Sequence, residues 1–299
     1  MSDQNNAFTM HSGLRSIAAN YDMFLCDLWG VIHNGHNPYD GVLATLYRLI
    51  GMHKIVVFIS NVPIPNVRAR DVIAGIGVPE DAYTTLVTSA DTARHALEQR
   101  EDSFHTALGP RYFTLGAGRY GDTLASLKYQ YEQVSDIDDA DWILNCGPNP
   151  YETPDDFIPL FKQALQRQLP MVGVNPDHRV MHGDKIGYCA GALCAQYGQM
   201  GGRFIEHGKP YPRIYQLVQS LRPEVSPDRM VMIGDTIHTD IVGAHGVGIA
   251  AALVTHGIHA PELNVPLGGG KMAKYDDLAA LFNRHGSTPE HVLPAFIWE

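Results

Sequence analysis

Four cysteines in 299 residues, none of them in a CxxC pair, leave nothing from which to build a disulfide framework or a zinc ribbon. Cys26, Cys146, Cys189 and Cys194 are scattered, and the expectation is reduced, buried thiols in a cytoplasmic protein. Basic residues are also scarce: 22 Lys and Arg stand against 32 Asp and Glu, a net charge of -10. Such a chain does not neutralise a phosphate backbone at large, which excludes a general nucleic-acid binder. A small anionic substrate would need a locally basic pocket. Long apolar runs are missing as well. The longest mild one, IVGAHGVGIAAALV at 241–254, is too short to span a bilayer and is broken by His245 and several glycines. The opening MSDQNNAFTMHSG lacks the basic-then-apolar pattern of a secretion signal. A cytoplasmic protein with no nucleic-acid or membrane partner is expected, and a homo-oligomer is left open.

What is present is ordinary globular material, 45% apolar and 18% charged, in a chain long enough for two domains. Short β-rich runs alternate with helical patterns. MFLCDLW, GVLATLYRLIGMH, KIVVFIS and NVRARDVIAGIG read as βαβα, the order of a parallel sheet with crossover helices. The order returns late, with the strand DRMVMIGD, the helix HTDIVGAHGVG and the strand IAAALVT. Between these blocks RYFTLGAG, DWILNCG and LPMVGVNP read as strands, and GDTLASLKYQYE, PDDFIPLFKQALQRQ and GYCAGALCAQYGQM as helices. The reading is therefore one α/β core, residues 1–81 and 204–299, interrupted by a second α/β domain at 82–203. The tail STPEHVLPAFIWE has too little pattern to assign.

Four stretches carry polar chemistry at or beside expected core strand ends: Asp27-Leu28-Trp29-Gly30, Ser60-Asn61, Lys209 in EHGKP, and Gly234-Asp235-Thr236 with Asp240. A strand-end Asp alone is better explained by turn capping. Together the four place a nucleophilic carboxylate, a hydroxyl, a lysine and an acidic pair on one edge of a parallel sheet, where such folds bind ligands. Carboxylates held together repel unless a cation lies between them, and Mg²⁺ on oxygens of Asp27 and Asp235 is the natural solution. Ser60 and Lys209 would then bind the oxygens of a phosphoryl group.

The order and spacing of these stretches resemble the haloacid dehalogenase superfamily, and within it the class IIA, NagD-like and 4-nitrophenylphosphatase-like branch. The resemblance runs from about Met23 to Thr255 and includes Val87-Thr88-Ser89-Ala90 and Val174-Asn175-Pro176-Asp177. It implies a Rossmann-like core with an inserted α/β (C2-type) cap, and a phosphatase acting on a small phosphorylated metabolite. Asp27 would be the nucleophile that forms an aspartyl-phosphate. Ser60 would hydrogen-bond the phosphoryl group beside Asn61, and Lys209 would neutralise it. Asp27, Asp235, Asp240 and the Trp29 carbonyl would hold Mg²⁺. Asn175 and Asp177 would face the substrate from the cap.

One catalytic position departs from the family. The phosphatase pattern has a second Asp two residues after the nucleophile, to protonate the leaving oxygen and later activate water. Here that position is Trp29, whose indole N–H only donates. Relatives without this Asp, such as the dehalogenases and phosphonatases, carry a helical cap between the first two motifs; the roughly thirty residues available here are too few for one. Val62-Pro63 also departs from the branch. A catalytically weakened metabolite binder and a phosphotransferase therefore stand beside the phosphatase as alternatives. Fifteen histidines are present. His33 and His36, or His178 and His182, could supply the missing proton transfer; a zinc site built from them is the less favoured reading.

Overall fold

The computed structural model describes residues 8–116, 123, 127, 130–182 and 185–299. Its strands are β1 (Thr9–Met10), β2 (Met23–Cys26), β3 (Ile55–Ser60), β4 (Thr85–Thr88), β5 (Arg111–Leu115), β6 (Glu132–Val134), β7 (Trp142–Asn145), β8 (Met171–Gly173), β9 (Arg179–His182), β10 (Lys185–Tyr188), β11 (Phe204–Glu206), β12 (Met230–Gly234), β13 (Ala250–Val254) and β14 (His291–Leu293). They form a seven-stranded sheet in the order β1-β14-β13-β12-β2-β3-β4, a five-stranded sheet in the order β11-β8-β7-β5-β6, and the antiparallel pair β9-β10. The chain divides into two units: residues 1–60, 70–87 and 215–299, and residues 61–69 and 88–214.

In the first unit β2, β12 and β13 are apolar runs with nearly every residue buried, as expected of strands covered on both faces. The sheet order reverses at β2, which lies between β3 and β12 and is parallel to both. Ile233 pairs with Cys26, so the residues that follow these two strands emerge side by side. That register, rather than sequence proximity, brings Asp27 to Asp235.

In the second unit the period-two alternation of β7 is plain. Trp142 and Leu144 enter one buried cluster with Leu97, Tyr112 and Tyr131. Ile143 enters the other, with Phe161, Leu193 and Tyr197. Successive side chains of one strand thus serve the two faces of the sheet.

The domain limits differ from those read in the sequence. Residues 82–87 fall in the first unit, because β4 extends the seven-stranded sheet next to β3. Phe204–Glu206 fall in the second, because β11 pairs with β8. Two further elements escaped the sequence reading. The tail, unassigned there, supplies β14, which is inserted between β1 and β13. The run GYCAGALCAQYGQM begins in β10, and only Ala190–Gln199 is helical. The expected helix GDTLASLKYQYE lies mostly outside the described residues, and its last residue, Glu132, opens β6. All four cysteines are buried, and none is in a disulfide. Among the described residues no helix is long and apolar enough to cross a membrane.

Candidate active site

The chemistry of the first unit gathers where β2 and β12 end. The Asp27 N–H donates to the Ile233 carbonyl at 2.9 Å, carrying the ladder one residue past β2. Asp235 follows Gly234 at the end of β12. Asp240 lies on a single π-helical turn, Ile237–Ile241. Its N–H donates to the Thr236 carbonyl at 3.0 Å, and its carboxylate accepts from the Thr236 N–H at 3.1 Å. A π-turn re-aims one side chain inside a helix and recurs at functional sites. Carboxylate oxygens of Asp27, Asp235 and Asp240 all lie within 4.8 Å of one another. Ser60 ends β3, the neighbour of β2 in the same sheet.

Asp235 is buried. Its Oδ2 accepts from the Ile258 N–H at 2.8 Å and its Oδ1 from the Thr236 hydroxyl at 3.1 Å. Burial, then the charge of Asp27, then that of Asp240 push its carboxyl well above the usual carboxylate range despite these two donors. Three carboxylates so placed do not all ionise without a counter-charge. Three carboxylates offering oxygen donors alone are the donor set of a hard divalent cation. The backbone makes room for them. A Cβ on Gly30, whose φ is +86°, would stand 2.1 Å from Asp235 Oδ2, and one on Gly257 2.2 Å from the same atom. A Cβ on Gly234 would stand 2.2 Å from the Asp240 Cβ. Gly30 and Gly234 stand within the acidic stretches of the sequence, which gives them no role, and Gly257 carries no sequence signal.

Trp29 is 44% exposed. Its ring lies across Gly35, where a Cβ would come within 2.3 Å of it, and edge-on to His33 with centroids 5.6 Å apart. His33 is buried; its Nδ1 accepts from the Gly35 N–H at 3.0 Å, and burial pushes it down to about 4. It is therefore neutral near pH 7, which disfavours it as the substitute proton carrier. Among the described residues the groups spaced to hold an ion are Asp27, Asp235 and Asp240, and His259, Glu262 and His285. His33, His36 and His178 belong to neither.

Lys209 is held by a different sheet from the one that carries the acidic residues. It follows β11 of the five-stranded sheet, not a core strand, and is buried in the second unit. Asn61 grips it: the Lys209 N–H donates to Asn61 Oδ1 at 2.7 Å, and Asn61 Nδ2 donates to the Lys209 carbonyl at 3.0 Å. The other amide hydrogen of Asn61 goes to Asp177 Oδ1 at 2.9 Å, and the Asp177 N–H donates to Asn175 Oδ1 at 2.9 Å. Asn61, Asn175, Asp177 and Lys209 are thus brought together within one unit. The Asn61 side chain, read as a substrate contact, has both amide hydrogens committed to this clamp.

Two family models match the chain, one described as haloacid dehalogenase-like hydrolase over residues 24–129 and one as HAD-hydrolase-like over residues 206–280. Ribonucleotide monophosphatase NagD of Escherichia coli is 23% identical over 239 residues, covering 78% of this chain and 87% of that protein. A haloacid dehalogenase-like hydrolase from Brucella suis superposes with a TM-score of 0.78 at 29% identity, covering 96% of this chain and all of the other. A glycerol phosphate phosphatase from Mycobacterium tuberculosis, solved in complex with magnesium, has the same fold at a TM-score of 0.63 and 22% identity, covering 84% of this chain and 71% of that one. The chain belongs to the haloacid dehalogenase superfamily, in its class IIA, NagD-like branch, and is a hydrolase of the phosphatase kind.

Proposed function

We propose that the protein is a cytoplasmic, Mg²⁺-dependent phosphohydrolase that acts on a small phosphorylated metabolite, a phosphomonoester, through a phosphoenzyme at Asp27. The observation that carries the proposal is the three-carboxylate cluster at the end of β2 and β12. A carboxylate oxygen of Asp27 attacks phosphorus, the ester oxygen leaves, and an aspartyl-phosphate forms. Water then attacks that phosphorus, releasing inorganic phosphate and restoring Asp27. Ser60 donates a hydrogen bond to the transferred group, and the family resemblance assigns Lys209 the task of offsetting its charge. Magnesium held by Asp27, Asp235, Asp240 and the Trp29 carbonyl would neutralise charge on the phosphoryl oxygens. Asn175 and Asp177, joined to Asn61, belong to the part of the chain that selects the substrate.

The direct test is hydrolysis of a panel of phosphomonoesters with Mg²⁺ and again with a chelator. Turnover that needs the metal is expected. Inert protein across the panel, or turnover unchanged by chelation, would overturn the proposal.

The glycine cradle gives a sharper measurement. In Gly257→Ala the new Cβ displaces the Asp235 carboxylate, since atoms do not approach to 2.2 Å. Half-saturation by Mg²⁺ is expected to rise by about 10-fold or more, as when the surroundings of a metal ligand are disturbed. A metal titration of the variant that overlays the wild type would separate Asp235 from the ion.

A further inference from the structure

The second unit holds a partly buried polar chain with no role in the reading above. Asp102 caps a short helix by accepting from the His105 N–H at 2.9 Å. Its other oxygen, Oδ2, meets His105 Nδ1 at 2.7 Å. His105 Nε2 meets His207 Nε2 at 3.1 Å, and both rings are fully buried. The protons follow from the partners. The carboxylate accepts, so His105 Nδ1 carries its hydrogen. His105 Nε2 of the neutral ring is then a lone pair, and His207 donates to it. That leaves His207 Nδ1 as a buried acceptor without a partner among the described residues. Asp102 Oδ2 also accepts from Arg213 Nη2.

His207 and Arg213 flank Lys209 on either side, and both reach the same Asp102–His105 pair. Between them the Lys209 backbone is gripped by Asn61. Gly208, at φ +126°, passes so close to Asn61 that a Cβ would lie 2.5 Å from its Oδ1. The lysine loop is thus fixed at two flanks and at its centre.

We propose that Asp102 and His105 are positioning residues for Lys209: they pin the two flanks of its loop through Arg213 and His207. The assignment rests on Lys209 being the group that binds the phosphoryl charge. An ammonium on a flexible four-carbon stem gains directional use only if its backbone is fixed.

The test compares Asp102→Asn and Arg213→Gln in the wild-type and in the Lys209→Ala background. Binding of inorganic phosphate is followed by calorimetry with Mg²⁺ present, beside thermal melting. In the wild-type background each change is expected to weaken phosphate binding about 10-fold, the scale on which supporting groups act. In Lys209→Ala the same changes should have no further effect, because the group they position is gone. A purely structural role would weaken binding equally in both backgrounds and would overturn the proposal, as would phosphate binding at wild-type strength in both single variants. If Asp102→Asn does not fold, Arg213→Gln, at a partly exposed residue, decides alone. Wild-type protein that binds phosphate but hydrolyses no ester would refute the phosphatase reading and leave this test intact.

Discussion

Asp27→Asn protein is expected to lose turnover by ~10⁴-fold or more while folding normally, the scale on which loss of an attacking group acts. An amide is neutral and a poor nucleophile, and the change is nearly isosteric at a half-buried position. The stability side of the prediction has a definite sign. In the metal-free protein Asp27 is one of three carboxylates within 4.8 Å, and its charge is the largest influence after burial that raises Asp235. Removing it relieves repulsion, so the melting temperature without metal should equal or exceed that of the wild type. Addition of Mg²⁺ should raise it less than in the wild type, because one ligand is gone. Turnover of the variant within 10-fold of the wild type would move the chemistry to another site.

Those same carboxylates show how far sequence carries and where it stops. β2, β3, β12 and β13 were legible because each is a short apolar run ended by a polar residue, and residues at parallel strand ends must share an edge. The acidic centre followed from that alone. β14 was not legible: three residues in a polar tail become a strand only by pairing with β1 and β13, partners more than thirty residues away in sequence. The π-turn that aims Asp240 leaves no mark in composition. EHGKP shows the lysine but not that the strand before it, β11, pairs with β8. The roles of Asn61, Asp102 and His105 lie in contacts across 102 to 148 residues of chain, beyond any periodic signal. Strand runs are local physics; clamps are made by tertiary pairing.

Trp29 is the position at which the pattern of the family and the residues of this chain disagree, and it sets the second large effect. Positioned proton transfer contributes ~10²–10⁴-fold to rate, and the indole N–H donates a hydrogen bond but transfers no proton. Its ring is laid across Gly35 and against His33, and His33, held down to about 4 by burial, is not an imidazolium acid near neutrality. Leaving groups that depart as stable anions, those of aryl and acyl phosphates, should therefore react well, and alkyl phosphates, whose oxygen must be protonated, poorly. The phosphoenzyme should persist, since the attacking water has no base beside it, and it should be trapped by rapid acid quench after reaction with an aryl phosphate. Trp29→Asp is expected to raise alkyl-phosphate turnover by up to ~10²-fold with a smaller gain on aryl phosphates. Trp29→Ala is the control, because it uncovers Gly35 in the same way and supplies no acid. If both variants speed alkyl hydrolysis alike, the ring was an obstruction rather than a missing acid. If the wild type already cleaves alkyl and aryl phosphates at similar rates, another group carries the proton, and the exposed His178 of the second unit is the residue to replace next.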